Sequence, residues 1–147
     1  MNPFLEDWLA AGPLLIQRLQ GVAGVASVAG GRDLVDVQEQ AQAVPAVYVL
    51  YGGDRIGSSG GDCQQVFQRW LVVLTVRSVA DLQSGSGLHA EAGQLLPRLI
   101  RRLSGWKPAR GAQALQQVTG PAPILTDDFA YFPLLFELGV FLPTDPD

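Results

Sequence analysis

Cysteine and histidine each occur once in the 147 residues, as Cys63 and His89. A lone thiol closes no intrachain disulfide and supplies neither a CxxC metal site nor a redox pair. A Cys–His dyad would have to be this one pair, and isolated residues of these types are usually structural, His89 reading as an exposed residue in the first turn of a helix. Zinc lacks its usual ligands here. The neighbouring acids Asp127 and Asp128 precede a strand and read as a solvated turn, since a cation site needs several oxygen ligands. Residues 52–62 are rich in glycine, yet no Lys-Ser/Thr pair and no helix follow, as a phosphate loop requires. These absences point away from catalysis, and neither a cofactor nor a metal is expected.

Charge is also scarce. Charged residues make up 16% of the chain against 48% hydrophobic, and lysine is almost missing, Lys107 standing beside nine arginines. Soluble surfaces usually carry more charge, so some apolar surface is expected to meet another chain. Arginine suits paired and stacked contacts between proteins better than lysine does. A net charge of -4 and a pI near 4.8 argue against wrapping DNA or an anionic membrane. Trp8, Trp70 and Trp106 with Arg69 and Arg77 could make a nucleic-acid face of aromatics and arginine, but the net acidity and the lack of any RNP-like motif weigh against it. No apolar run reaches the length of a membrane span, and residues 1–20 lack the basic start and apolar core of a signal peptide. The expectation is a soluble, cytoplasmic protein.

What is present reads as one domain of α+β class. Asn2 before Pro3 is a helix opening, and apolar residues recur at helical spacing to Leu19, interrupted at Gly12-Pro13. That pattern predicts a kinked helix over 3–20 or two short helices. Val22, Val25 and Val28 suggest a short strand, and residues 33–41 a short helix. Residues 46–51 are β-branched and aromatic and are expected to form a strand that ends at Gly52-Gly53. Residues 52–62 then read as a mobile loop or long hairpin tip. Residues 66–77 predict a long strand with Val66, Trp70, Val72, Leu74 and Val76 on one face and Phe67, Arg69, Leu71, Val73, Thr75 and Arg77 on the other. After a flexible turn at residues 84–87, Leu88, Ala92, Leu95, Leu96, Leu99, Ile100 and Leu103 mark the apolar stripe of a helix over 88–104, with Pro97 expected to kink it and Gly105 to end it. A short strand at 114–118 and a long one at 129–142 follow, Pro133 placing the latter at an edge, a bulge or its own start. Residues 143–147 read as a disordered tail. The whole predicts an antiparallel or mixed sheet with helices packed on one face and a long β-hairpin loop.

Several stretches together resemble the phage tail terminator family of long-tailed phages, in particular the Mu-like siphophage type. They are Val44-Pro45-Ala46-Val47-Tyr48-Val49-Leu50, the strand from Gln68 and Arg69 through Trp70 to Val76, and the helix through Ala92-Gly93 and 99–103. Gly105-Trp106-Lys107-Pro108 and Phe129-Ala130-Tyr131-Phe132-Pro133-Leu134-Leu135-Phe136 complete the set. Gly-Trp-x-Pro after an apolar helix is the most specific piece, so Gly105, Trp106 and Pro108 are taken as a structural motif. The family pattern has uninterrupted helices where Pro13 and Pro97 intrude here.

The resemblance implies a structural virion protein and not an enzyme: a six-fold ring of identical subunits on the head-proximal end of the finished tail tube. Such a ring stops tube growth and offers a docking surface to the head–tail connector. Its partners would be further copies of itself, the tail tube protein and the connector, and its place the virion tail, with the host cytoplasm during assembly. On this reading Arg69, Arg77, Phe67, Leu71 and Val73 are candidates for the subunit interface, the two arginines pairing with carboxylates across the ring. Gly53, Asp54, Arg55, Ile56, Gly57, Ser58 and Ser59 are candidates for a loop that orders on the tube or connector. A plainer role keeps Arg69 and Arg77 as charges that guard a strand edge. Alternatives in function are a head–tail joining or tail-completion protein, or a small-molecule-binding module with a cleft beside Trp106 and Tyr131.

Overall fold

The alternation of large apolar with smaller or polar residues in the three longest runs is the pattern of sheet strands with two different faces. A computed structural model describes residues 1–40, 43–77 and 88–145, with the backbone alone for residues 39, 40, 88 and 89. The elements are a 3-10 turn at Pro3–Leu5, α1 at Ala11–Leu19, β1 at Ser27–Gly30, α2 at Leu34–Gln40, β2 at Ala46–Gly60 and β3 at Cys63–Arg77. There follow α3 at Leu88–Leu103, β4 at Gln116–Val118, β5 at Ile124–Leu125 and β6 at Phe129–Pro143. The sheet runs β1-β2-β3-β6-β4, with β5 also on β6. β1 pairs with β2 in parallel and every other pairing is antiparallel, so the sheet is mixed and the class α+β, as expected.

Asn2 caps the first turn by accepting the Phe4 N–H at 3.0 Å, and Pro3 occupies the first position. Of the two arrangements the sequence allowed, separate helices are found. Pro13 sits in the first turn of α1, where the missing donor costs no helical bond. Pro97 lies inside α3, and the helix continues through it from Leu88 to Leu103. Both Pro97 and Gly93, whose carbonyl loses its partner there, are exposed, which leaves that carbonyl free to meet water. Ala92, Leu95, Leu99 and Leu103 of α3 pack with Leu15 and Leu19 of α1 over Val47, Val49, Trp70, Val72, Leu74, Phe136 and Leu138 of the sheet. Gly105, at φ +80°, ends α3. The turn at residues 84–87 lies outside the described residues.

The hairpin differs from expectation. β2 does not stop at Gly52-Gly53: it continues to Gly60, and β2 and β3 pair until Gly60 faces Cys63 across Gly61 and Asp62. Two register shifts, between Tyr51 and Asp54 and between Ile56 and Ser59, each insert one extra residue on β2. Gly53, at φ +86°, takes the left-handed conformation that such a bulge requires. Glycine here shapes a strand and does not end one. The far end differs too: Pro143 still pairs with Cys63, and the Thr144 N–H donates to the Asp62 carbonyl at 2.9 Å, so ordered chain runs past the point where a tail was expected.

β6 is an inner strand along most of its length. Its outer edge pairs with β4 at residues 135–137 and with β5 at residues 130–131. Pro133 falls between these stretches, its carbonyl turned toward Gly120, so the lost donor interrupts neither ladder. The second face of the sheet has its own cluster of Ala46, Tyr48, Leu50, Val73 and Tyr131, closed by Val37 of α2. α1 and α3 thus share one face, while the short α2 covers part of the other.

Candidate functional site

Residues alternate between faces along a strand, and α2 covers only one end of the second face. The uncovered remainder carries Arg55 of β2, Phe67, Arg69 and Leu71 of β3, and Leu135 and Glu137 of β6, which the register places side by side. Arg55 faces Phe67, Arg69 faces Glu137, and Leu71 faces Leu135. Phe67, Arg69, Leu71 and Leu135 are half-buried.

Glu137 organises this surface. Arg55 donates to it twice, Nε to Oε2 at 2.9 Å and Nη2 to Oε1 at 3.0 Å, and Arg69 Nε reaches Oε2 at 3.4 Å. The glutamate is 8% exposed, while the Arg55 and Arg69 side chains keep 46% and 43% of their surface. The fork from Arg55, joined by Arg69, holds the Glu137 carboxyl below its ordinary range, against the opposing effect of burial. Only some of the five N–H groups of each guanidinium are used, and the rest remain for acceptors on another molecule.

Phe67 lies under Arg55, whose guanidinium carbon is 4.1 Å from the ring centroid. Two glycines flank its ring for a steric reason. A Cβ on Gly139 would stand 3.3 Å from Cε1 of the ring, and one on Gly57 2.8 Å from Cε2. The ring fills the space those glycines leave. Beside it, a hollow of about 250 Å³ is lined by Phe67, Gln113, Ala114, Gln116, Glu137 and Gly139. Toward α2, a second groove of about 400 Å³ runs past Leu34, Val35, Leu50 and Leu71, with Val35 63% exposed.

The sequence placed the expected interface residues on one face correctly but not on one patch. Val73 is wholly buried between Tyr48, Val37 and Tyr131 and belongs to the chain's own core. Arg77 is exposed at the far end of β3 and stacks 5.6 Å from the Phe129 centroid, eight residues from Arg69, or roughly 26 Å along an extended strand. Arg69, expected to meet a carboxylate from another subunit, meets Glu137 of its own chain. Arg55, assigned to a loop, is part of this sheet surface. Glu137 was missed, although one acid among the apolar residues of β6 was the available signal: a charge in such a strand is kept only if paired.

The loop candidates divide in the same way. Asp54 turns to the helical face, where it accepts the Tyr51 hydroxyl at 2.9 Å and the Trp8 indole N–H at 3.3 Å. Ile56 is 63% exposed, and Ser58 and Ser59 are exposed toward the hairpin tip, with Gly53 and Gly57 half-buried at the bulges. Gln68, which sequence reasoning passed over, is fully buried. It donates to the Trp8 carbonyl at 2.6 Å and accepts the Trp70 indole N–H at 3.0 Å, pinning the N-terminal turn to the sheet.

Neither alternative surface forms. Trp8, Trp70 and Trp106 pack with the helical face, whereas Arg69 and Arg77 lie on the opposite one. Trp106 and Tyr131 likewise belong to clusters on opposite faces and share no cleft. Gly105 and Trp106 form a brace with Leu115: the Gly105 N–H donates to the Leu115 carbonyl, and the Leu115 N–H to that of Trp106, both at 2.9 Å, and Pro108 follows half-buried. Cys63 stands beside the hairpin turn, and the His89 side chain lies outside the described residues. Among the described residues, no three His, Cys, Asp or Glu side chains gather as metal ligands, and no helix is long and apolar enough to cross a membrane.

What the geometry offers is an open sheet surface with half-spent guanidiniums, one hollow of mixed lining and one apolar groove. Comparison with curated proteins found no match. A family model described as phage tail terminator protein matches residues 6–146, taking in every described strand and α-helix and leaving out the 3-10 turn at Pro3–Leu5. With nearly the whole chain inside that match, this protein belongs to the phage tail terminator family, a family of structural proteins of the virion tail.

Proposed function

We propose that the chain acts as a ring of identical subunits on the head-proximal end of the tail tube, where it ends tube polymerisation and supplies the surface on which the head–tail connector docks. The observation that carries the subunit contact is the open part of the second sheet face. There Phe67, Leu71 and Leu135 surround the Arg55–Glu137–Arg69 cluster, and apolar side chains lie half-exposed beside an ion pair that is already formed. A closed ring of identical chains needs a surface that packs on a different surface of its neighbour, and this face has the apolar content for one side of such a contact. Because Glu137 already pairs with both arginines and offsets one of their two charges, association there draws mainly on shape and apolar burial, with the unused N–H groups fixing register. The hairpin tip, with Ile56, Ser58 and Ser59 exposed, continues beyond this face as the reach toward the tube or connector.

Electron microscopy of particles made without the gene tests this. Tails of uncontrolled length are expected. Tails of normal length that fail to join heads would instead establish the head–tail joining role.

A further inference from the structure

On the other side of the molecule, where α1 ends beside α3, Arg18, Val22, Ala23, Arg98, Arg101 and Arg102 line a groove of about 410 Å³. Four of the ten basic residues of a net acidic chain converge there. The ion pairs among the described residues involve Arg32, Arg55 and Arg69, and none of the four groove arginines has a carboxylate of a described residue within 4.0 Å. Two are held in place by other means. Arg18 Nε donates to the Arg102 carbonyl at 3.1 Å, with its guanidinium 5.1 Å from the Trp106 centroid, and Arg98 Nη1 donates to the Ala23 carbonyl at 2.8 Å. Gly24, at φ +91°, permits this approach, since a Cβ there would stand 2.7 Å from a Leu95 methyl and 3.1 Å from Arg98 Nη1. Four like charges, two of them held in place and no acid among the residues that line the groove, repel one another, and an acidic partner relieves that.

The chain also carries the complementary feature. The turn between β5 and β6 exposes Asp127 and Asp128 beside Leu125, which is 52% exposed. No cation stands within 4.0 Å of either acid among the described residues. Two hydrogen bonds close the turn: the Thr126 N–H donates to the Phe129 carbonyl at 2.8 Å, and the Phe129 N–H to Thr126 Oγ1 at 3.0 Å. Holding Arg18, Arg98 and the backbone of the acidic turn in advance lowers the entropy lost on meeting. Two different patches on one chain are also what a head-to-tail contact requires.

We propose that the groove of Arg18, Arg98, Arg101 and Arg102 receives the Leu125–Asp128 turn of a second copy of this chain, as a charged contact between successive subunits. The inference rests on the ring reading above. A duplex nucleic acid is the competing occupant of such a groove, and the net charge of -4 disfavours it.

The test is charge exchange read by sedimentation at low ionic strength, with far-UV circular dichroism to show that each variant folds. Wild-type chain is expected to associate. Arg98→Glu with Arg101→Glu, or Asp127→Arg with Asp128→Arg, is expected to weaken association by at least about tenfold. An equimolar mixture of the two variants is expected to associate again, because each then offers what the other accepts. Folded variants that associate like wild type, or a mixture that stays dissociated, overturn the inference. So does a groove variant that keeps its association but loses binding to a short DNA duplex. If either result comes with overlong tails in the gene deletion, the groove assignment fails and the ring reading stands. Normal tails in that deletion remove the ring reading itself.

Discussion

Glu137 is the one acid in the apolar stretch of β6, and its neighbours explain how it can be there. Replacing it by Gln leaves Arg55 and Arg69 without their counter-charge and is expected to cost about 1–2 kcal/mol, a moderate figure because both arginines are half in water. The carboxyl is held below its ordinary value, so its contribution is fully present above the unfolded value near 4.5 and fades as pH falls through the lower folded one. Urea unfolding of wild type and Glu137→Gln should therefore show a gap at pH 7 that narrows below about pH 4. A gap that does not change with pH would refute the pairing. Thr75 is the opposite case: its buried hydroxyl has no hydrogen-bond partner among the described residues. Thr75→Val removes that unmet polar group at nearly constant shape, and thermal melts should show stabilisation of about 1 kcal/mol. The sequence showed Glu137 as an anomaly but could not show its partners, which lie 82 and 68 residues away.

Helices and strands were legible to different degrees. The apolar stripe of α3, its stop at Gly105 and the Asn2 cap are local features, and they were readable because a helix is made of contacts within a few residues. The outer half of β2 was not. Its glycines argue against a strand on propensity alone, yet β3 beside it is regular and its backbone groups impose the pairing, with bulges absorbing the extra residues. Gly57→Ala tests this: the added methyl would meet Phe67 and the Gln65 carbonyl, and a loss of about 1–2 kcal/mol on denaturation is expected. In α3, Pro97 is exposed and removes one helical donor. Pro97→Ala restores it and should raise stability by about 2 kcal/mol, seen as a higher melting temperature. An unchanged melt would mean that packing on the sheet already sets the stability of that helix.

The sheet separates two environments. One face is closed by α1, α3 and the N-terminal turn, and the other is only partly closed by α2. Placing a charge on the open part is expected to spare the fold and harm assembly. Leu71→Asp, at a half-buried position, should leave the circular dichroism spectrum intact while lowering association measured by light scattering at least about tenfold, since an unpaired carboxylate would be buried at the contact. Assembly unaffected by this change would place the subunit contact elsewhere.

Composition and period settled much of this protein: its class, its long strands, the residues on each side of β3 and the scarcity of groups that do chemistry. These follow from the chain's own spacing, because a side chain's face depends on its immediate neighbours in sequence. Register and coverage were settled by folding. That Arg69 turns to Glu137, that Val73 disappears beneath α2 while Leu71 does not, and that four arginines gather where α1 meets α3 depend on segments distant in sequence arriving side by side. Periodicity carries no record of which distant segment arrives, because the pairing is fixed by the packing of the whole sheet and its helices.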